Sequence, residues 1–141
     1  MRVTGTRVAL CCALLAIAAM AIPSLAGAKV KKVKVDTTAT LNAVEEQGRQ
    51  VRFSGFLDVD PGRKTCLRRE VSLIEIREVE PKVVDVVNSN SEGRFDFGEV
   101  NTKRDAVYQA EVSKKKKTKK KKGKKKKKIV CKPTVSNSHS F

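Results

Sequence analysis

The sequence has no tryptophan, one tyrosine, one histidine and five phenylalanines. So few rings exclude a base-stacking nucleic-acid platform, which needs aromatic side chains in series. The lone histidine, His139, lies among serines in the tail SNSHSF and reads as a solvated residue. An enzyme needs a base, a nucleophile or a metal gathered in a pocket. The serines cluster in turns with no nucleophile-elbow pattern, and the segment Asp58-Val59-Asp60-Pro61-Gly62 lacks the third acid and the closing glutamate of a calcium loop, so it reads as a polar turn. The spacing of Glu78 and Glu80 is that of a solvated strand end. These absences point to a non-catalytic protein with no cofactor, no metal and no evident small-molecule substrate. After Val33 no window shows a 3.6-residue apolar period, so helices are not expected.

Long apolar runs are also scarce: one lies at the N-terminus and no second follows. The chain opens MRVTGTRVALCCALLAIAAMAIPSLAGAKV. Arg2 and Arg7 precede an uncharged run from Val8 to Ile22, then Pro23 and the small residues Ala26-Gly27-Ala28. That order reads as a secretory signal peptide. The run of about 15 residues is short for a membrane anchor, which needs roughly 20. Cys11 and Cys12 lie inside the run and neither follows a small residue at its end, which argues against a lipid-attachment site. Cleavage after Ala28 leaves residues 29–141 as one domain, expected outside the cytoplasm, secreted or associated with the cell envelope. Of four cysteines only Cys66 and Cys131 then remain. Two cysteines are too few for a zinc site and in an exported chain most simply form one disulfide.

What the sequence has in abundance is lysine. The formal net charge is +16, and thirteen lysines fall in one stretch, KKKKTKKKKGKKKKK at 114–128. They are Lys114, Lys115, Lys116, Lys117, Lys119, Lys120, Lys121, Lys122, Lys124, Lys125, Lys126, Lys127 and Lys128. Without them and the two leader arginines the chain carries about +1. This is a nearly neutral domain with one concentrated block of charge.

Elsewhere the pattern is strands and turns. VKVDTTATL (33–41) is rich in valine and threonine, and EEQG (45–48) reads as a turn. In RQVRFSGFLDVD (49–60), Val51, Phe53, Gly55, Leu57 and Val59 share one face, the period of a half-buried strand. Phe56 breaks that alternation and marks a bulge or a second buried face. DPGRK (60–64) is a turn. REVSLIEIR (69–77) shifts phase between Leu73 and Ile74, which predicts a bulge or burial on both faces. VVDVV (83–87), RFDF around Phe95 and Phe97, AVYQAEV (106–112) and IVC (129–131) are further short strands. Turn signals between short strands predict an all-β sandwich of about seven strands. Its core is expected to rest on Val, Leu, Ile and four phenylalanines, the terminal Phe141 excluded. The lysine tract then falls between strands ending near Val112 and starting near Ile129, expected as antiparallel neighbours. Thirteen like charges cannot bury themselves, so the tract is expected as a flexible hairpin loop, disordered or weakly extended, with Gly123 at its turn.

The segments FSGFLDVD, C-LRREVSL, NSNSEGRFDF, VYQAEV and IVCKPTVSNS together resemble small exported bacterial domains of the prealbumin-like or carboxypeptidase-regulatory-like type. The resemblance implies an antiparallel sandwich of immunoglobulin-like architecture over roughly residues 34–141. It implies structural roles for Gly93, Phe95, Phe97, Tyr108 and Ala110, and a pairing of Cys66 with Cys131. Such domains serve as accessory, adhesive or stalk modules, so the resemblance speaks to fold more than to function.

Three readings of the tract stay open. It attaches electrostatically to a polyanion, such as an anionic cell-envelope polymer or an anionic lipid surface. It binds nucleic acid, which with neither arginines nor aromatics among its lysines would be non-specific. Or it is an inert solvated loop on a structural domain.

Overall fold

The computed structural model describes residues 30–120 and 126–141. The expected signal peptide and the tract's centre, including Gly123, lie outside the described residues. The described residues form ten strands: β1 (Lys31–Val35), β2 (Thr37–Glu45), β3 (Gln50–Val59), β4 (Glu70–Ile76), β5 (Lys82–Asn88), β6 (Arg94–Asn101), β7 (Val107–Val112), β8 (Lys115–Lys119), β9 (Lys127–Cys131) and β10 (Thr134–Ser140). Among the described residues a single 3-10 turn, Lys64–Cys66, interrupts them.

Seven strands make the sandwich. A sheet ordered β2-β3-β6 faces one ordered β10-β7-β4-β5, and every neighbouring pair within them is antiparallel. Three strands facing four in this order is compatible with an immunoglobulin-like arrangement. The alternating residues of β3 supply Val51, Phe53 and Leu57 to the core, where they meet Val71, Leu73, Phe95, Tyr108, Ala110 and Val112. The remaining three strands form a separate sheet, β1-β9-β8, in which β1 runs parallel to β9. It sits on a small second core of Val35, Cys66, Ile129 and Cys131. The disulfide Cys66–Cys131 lies within that core and joins the segment before β4 to β9.

The phase shift at Leu73/Ile74 is a bulge against β5, and both residues are buried. Near Phe56, however, the irregularity lies elsewhere. β2 and β3 pair without a break, and the register shift occurs against β6, where Gly98 takes a positive φ of 70°. Phe56 therefore points outward and is not a core residue. Phe141 takes its place, packing edge-on to Phe53 with centroids 5.9 Å apart. The glycine beside Phe56 is required by contact. A Cβ on Gly55 would lie 2.1 Å from the Thr40 carbonyl oxygen and 2.5 Å from Phe95 Cζ. Gly93 combines a φ of +86° with a Cβ direction blocked 2.6 Å away by the Leu57 carbonyl oxygen, so the polar turn can close only with glycine.

One expectation is corrected by β10. His139 is not freely solvated: residues 136–140 of the tail belong to the edge strand β10, held to β7, although Asn137, Ser138 and Ser140 remain exposed. A register shift between Val135 and Ser138 frees its side chains for backbone-like roles. Ser136 Oγ accepts from the Ala110 amide at 2.8 Å. Asn137 acts as a surrogate ladder partner for Leu41 across the sandwich: its Oδ1 accepts from the Leu41 amide at 2.8 Å and its Nδ2 donates to the Leu41 carbonyl at 2.9 Å. His139, half-buried, places Nε2 2.8 Å from the same carbonyl and 3.1 Å from Asn137 Nδ2. The valine- and threonine-rich segment VKVDTTATL contributes to two strands. It changes sheets at Asp36, β1 joining β9 and β2 joining β3.

The three sheets are tied together by Arg69, which is 3% exposed. Its Nε donates to the Ser113 carbonyl at 2.8 Å, its NH1 to Thr37 Oγ1 at 2.8 Å, and its NH2 to the Lys132 carbonyl at 2.6 Å. NH2 also donates to the Ser113 carbonyl. Among the described residues no carboxylate pairs with it. Burial lowers the guanidinium pKa from its ordinary value, yet an arginine remains a cation in any protein setting. Arg69→Met should strand these acceptors and cost about 3 kcal/mol or more in urea unfolding, since each buried unpaired polar group costs about 1–3 kcal/mol. Arg69→Lys should not restore it, because one ammonium cannot reproduce the planar fork. A lysine variant as stable as the parent would refute this role.

Candidate polyanion-binding site

The lysine tract has more order at its ends than like-charge repulsion implies. Residues 115–119 are β8 and residues 127–128 begin β9, and the two strands pair antiparallel. The expected neighbours, β7 and β9, lie in different sheets. The tract thus builds its own hairpin, inserted between β7 and β10 at one end of the sandwich. Loops of a sandwich cluster at its ends, where this architecture carries its binding surfaces.

Register decides where the charges point. Lateral neighbours in a sheet share a face, and successive residues alternate. One set of rows is Val35–Cys131–Lys115, Val33–Ile129–Lys117 and Lys31–Lys127–Lys119. This face holds the buried Val35, Ile129 and Cys131 and so turns toward the domain. The other set is Lys34–Val130–Lys116 and Lys32–Lys128–Thr118. It turns outward, placing Lys32, Lys34, Lys116 and Lys128 around Val130. Strands about 4.8 Å apart and a two-residue step of about 6.7 Å confine these four ammonium stems to a patch about 10 Å across. Lys31, Lys117, Lys119 and Lys127 extend the charge beyond the second core.

Three of these contributors, Lys31, Lys32 and Lys34, lie far from the tract in sequence. The segment KVKKVKV does carry a signal, lysine and valine alternating over residues 32–35, but only pairing with β9 gives it meaning. Among the tract's described residues, Lys114, Lys120 and Lys126 flank the strands and are exposed. Lys121, Lys122, Lys124 and Lys125 lie outside the described residues. Lys115 differs from the rest: it is half-buried and its Nζ donates to the Arg68 carbonyl. Burial, then the nearby Lys117, Arg69 and Arg68 charges, lowers its pKa. It braces the hairpin and is less free to meet a ligand.

Counter-charge at this end is sparse. Asp36 pairs with Lys132 at 2.6 Å, and among the described residues no tract lysine has a carboxylate within ion-pair distance. Lys31 beside Lys127 and Lys32 beside Lys128 are like-charged lateral pairs, which oppose sheet formation. The sheet holds through its apolar face, the disulfide and the carbonyls gripped by Arg69.

A second ionic cluster lies toward the opposite end of the sandwich and is closed upon itself. Glu75 is 4% exposed. Its Oε2 accepts from the Tyr108 hydroxyl at 3.1 Å, and that hydroxyl accepts from the Lys103 amide at 3.0 Å. Oε1 has the guanidinium of Arg77 against it in an ionic contact and Lys103 Nζ at 3.7 Å. Burial pushes the carboxyl pKa up, but Tyr108, Arg77 and Lys103 together bring it below the ordinary value. Burial also raises the pKa of Tyr108. A carboxylate held ionised by one hydroxyl and two cations is an interior lock.

Comparison with known proteins gives no match: no protein family, no curated protein and no solved structure is detectably similar to this chain.

Two outcomes follow. A glutamate whose folded pKa is depressed contributes stability above its unfolded pKa, and that contribution fades as pH falls through the ordinary range near 4.3. The parent should therefore exceed Glu75→Gln in melting temperature at neutral pH, with the gap narrowing on acidification; a gap independent of pH would contradict the linkage. Separately, Lys119 and Lys127 are register partners, so residues 120–126 can be replaced by Asn-Gly, a two-residue hairpin turn. Melting temperature should then stay within about two degrees of the parent. Deleting 115–127 removes β8 and the Lys115 brace as well, and should cost more.

Proposed function

We propose that this chain is an exported, non-catalytic β-sandwich module of prealbumin-like or carboxypeptidase-regulatory-like kind. It binds anionic polymers or anionic lipid surfaces of the cell envelope through the lysine sheet. The observation that carries this reading is the register of β1-β9-β8, which gathers lysines from two distant segments onto one outward face around Val130. Lysines act as compact point charges, and their binding to phosphates is driven largely by release of counterions.

The alternative, an inert solvated loop on a structural domain, is weakened by the cost of the arrangement. Paired strands with lysine beside lysine lose stability that an irregular solvated loop would keep. Nucleic acid fits only as one more polyanion. The outward face has Val130 and Thr118 between its lysines, with no ring to stack on a base and no arginine fork to read one.

Binding should be weak, salt-sensitive and chemically unselective. If about six lysines engage phosphates, the log–log salt slope on duplex DNA is near −5, from roughly −0.9 per contact. Teichoic-type polymer, anionic vesicles and duplex DNA titrated side by side should all lose affinity together as salt rises. The quadruple change of Lys32, Lys34, Lys116 and Lys128 to alanine should weaken all three, while arginine at the same positions retains binding. No binding to any of them at low salt would restore the inert-loop reading.

A further inference from the structure

The outer face of β2-β3-β6 carries a groove that the lysine sheet does not use. Asn42, Ser54, Phe56, Asn88, Arg94 and Asp96 line it, and its volume is about 720 Å³. Register sets its floor: Thr40, Phe56 and Arg94 lie side by side, and so do Asn42, Ser54 and Asp96. Asn88, at the end of β5, and the turn into β6 form its wall.

A single exposed apolar residue is ordinary. The setting of Phe56 is what informs. Its ring, 46% exposed, shares the groove with three carboxamides, a hydroxyl, a guanidinium and two carboxylates. The charges there are balanced locally. Arg52 NH2 donates to Asp96 Oδ2 at 2.8 Å, and Arg94 Nε lies 3.5 Å from Glu92 Oε2. The Arg52 guanidinium, then the Gly98 amide, hold the Asp96 carboxyl below its ordinary pKa. With its charges paired internally, the groove offers a free ion of either sign little net attraction, in contrast to the lysine face.

The backbone narrows the ligand further. The floor strand β3 is paired on both sides, so it has no free ladder groups to add a peptide strand. A ligand lying over β3 is held by side chains. Carboxamides and hydroxyls offer both donors and acceptors, as an array of ligand hydroxyls demands. An exposed ring offers an apolar face to C–H groups. A molecule with hydroxyls around its rim and C–H groups on its face is a sugar.

We propose that this groove binds a neutral carbohydrate, one sugar ring stacked on Phe56 and its hydroxyls held by Asn42, Ser54, Asn88 and Asp96. Arg94 closes the side next to the ring. The site is independent of the polyanion reading, and salt separates the two.

The test is amide chemical-shift mapping of the full chain with hexasaccharides of N-acetylglucosamine, glucose and mannose, at low and high salt. At least one should shift residues 42, 54, 56, 88 and 94, with an affinity that salt leaves unchanged. Phe56→Ala, an outward residue, should weaken it about tenfold or more. The double change Asn42→Ala with Ser54→Ala gives a second variant that leaves the ring in place and should weaken it as well. Both must keep the parent's spectral dispersion. The quadruple lysine-to-alanine variant should bind the sugar as the parent does. No shift at these positions with any of the three sugars overturns the proposal. So does sugar binding that salt or the lysine changes abolish, or that survives both groove variants intact.

Discussion

The guanidinium of Arg69 holds the two ends of one insertion. The Ser113 carbonyl precedes β8 and the Lys132 carbonyl follows β9, so a single side chain grips the hairpin where it leaves the sandwich and where it returns. Its third contact, Thr37, begins β2 just after the chain has left β1. Every strand of the lysine sheet is therefore referenced to one planar cation rooted at the start of β4. The disulfide adds a covalent tie at the same place, from Cys66 to Cys131. Ser89 completes the joint: its Oγ accepts from the Arg69 amide at 2.9 Å and its own amide donates to the Arg69 carbonyl at 2.8 Å.

This anchoring lets the domain carry a sheet that its own charges oppose. Apolar contact on one face, around Ile129 and the disulfide, works against lysine repulsion on the other. The anchor itself is a cation without a carboxylate, so it adds to the positive field and does not quench it. Such a surface is stabilised by whatever supplies negative charge from outside, because a ligand that binds only the ordered sheet adds its binding energy to that sheet's stability.

Where a strand has one buried face, the sequence announced it. The period of two through Val51, Phe53 and Leu57, the phase break at Leu73 and Ile74, and the turn at Gly93 all appear where expected. What stayed hidden depends on partners distant in the chain. Nothing local shows that Asp36 divides two sheets, that Asn137 completes a ladder with Leu41, or that Arg69 faces inward toward three separate segments. The tract was visible as charge and invisible as structure. Lysine has a poor strand propensity, and only Ile129, Val130 and Cys131 at its end, backed by the valines of β1, draw its flanks into pairing. The groove was hidden for a similar reason, since Phe56 reads as core until the continuous β2–β3 register turns it outward.

The parallel pairing of β1 with β9 has a consequence for time as well as shape. Lys31 meets Lys127 only after a span of about a hundred residues has been brought round, and contacts so distant in sequence form slowly. The first described strand must wait for nearly the whole chain, while the hairpins of the sandwich close locally. The lysine sheet is thus the natural last piece to assemble and, with few apolar contacts beneath it, the natural first to open. A domain built this way has a stable frame and a late-closing edge of charge.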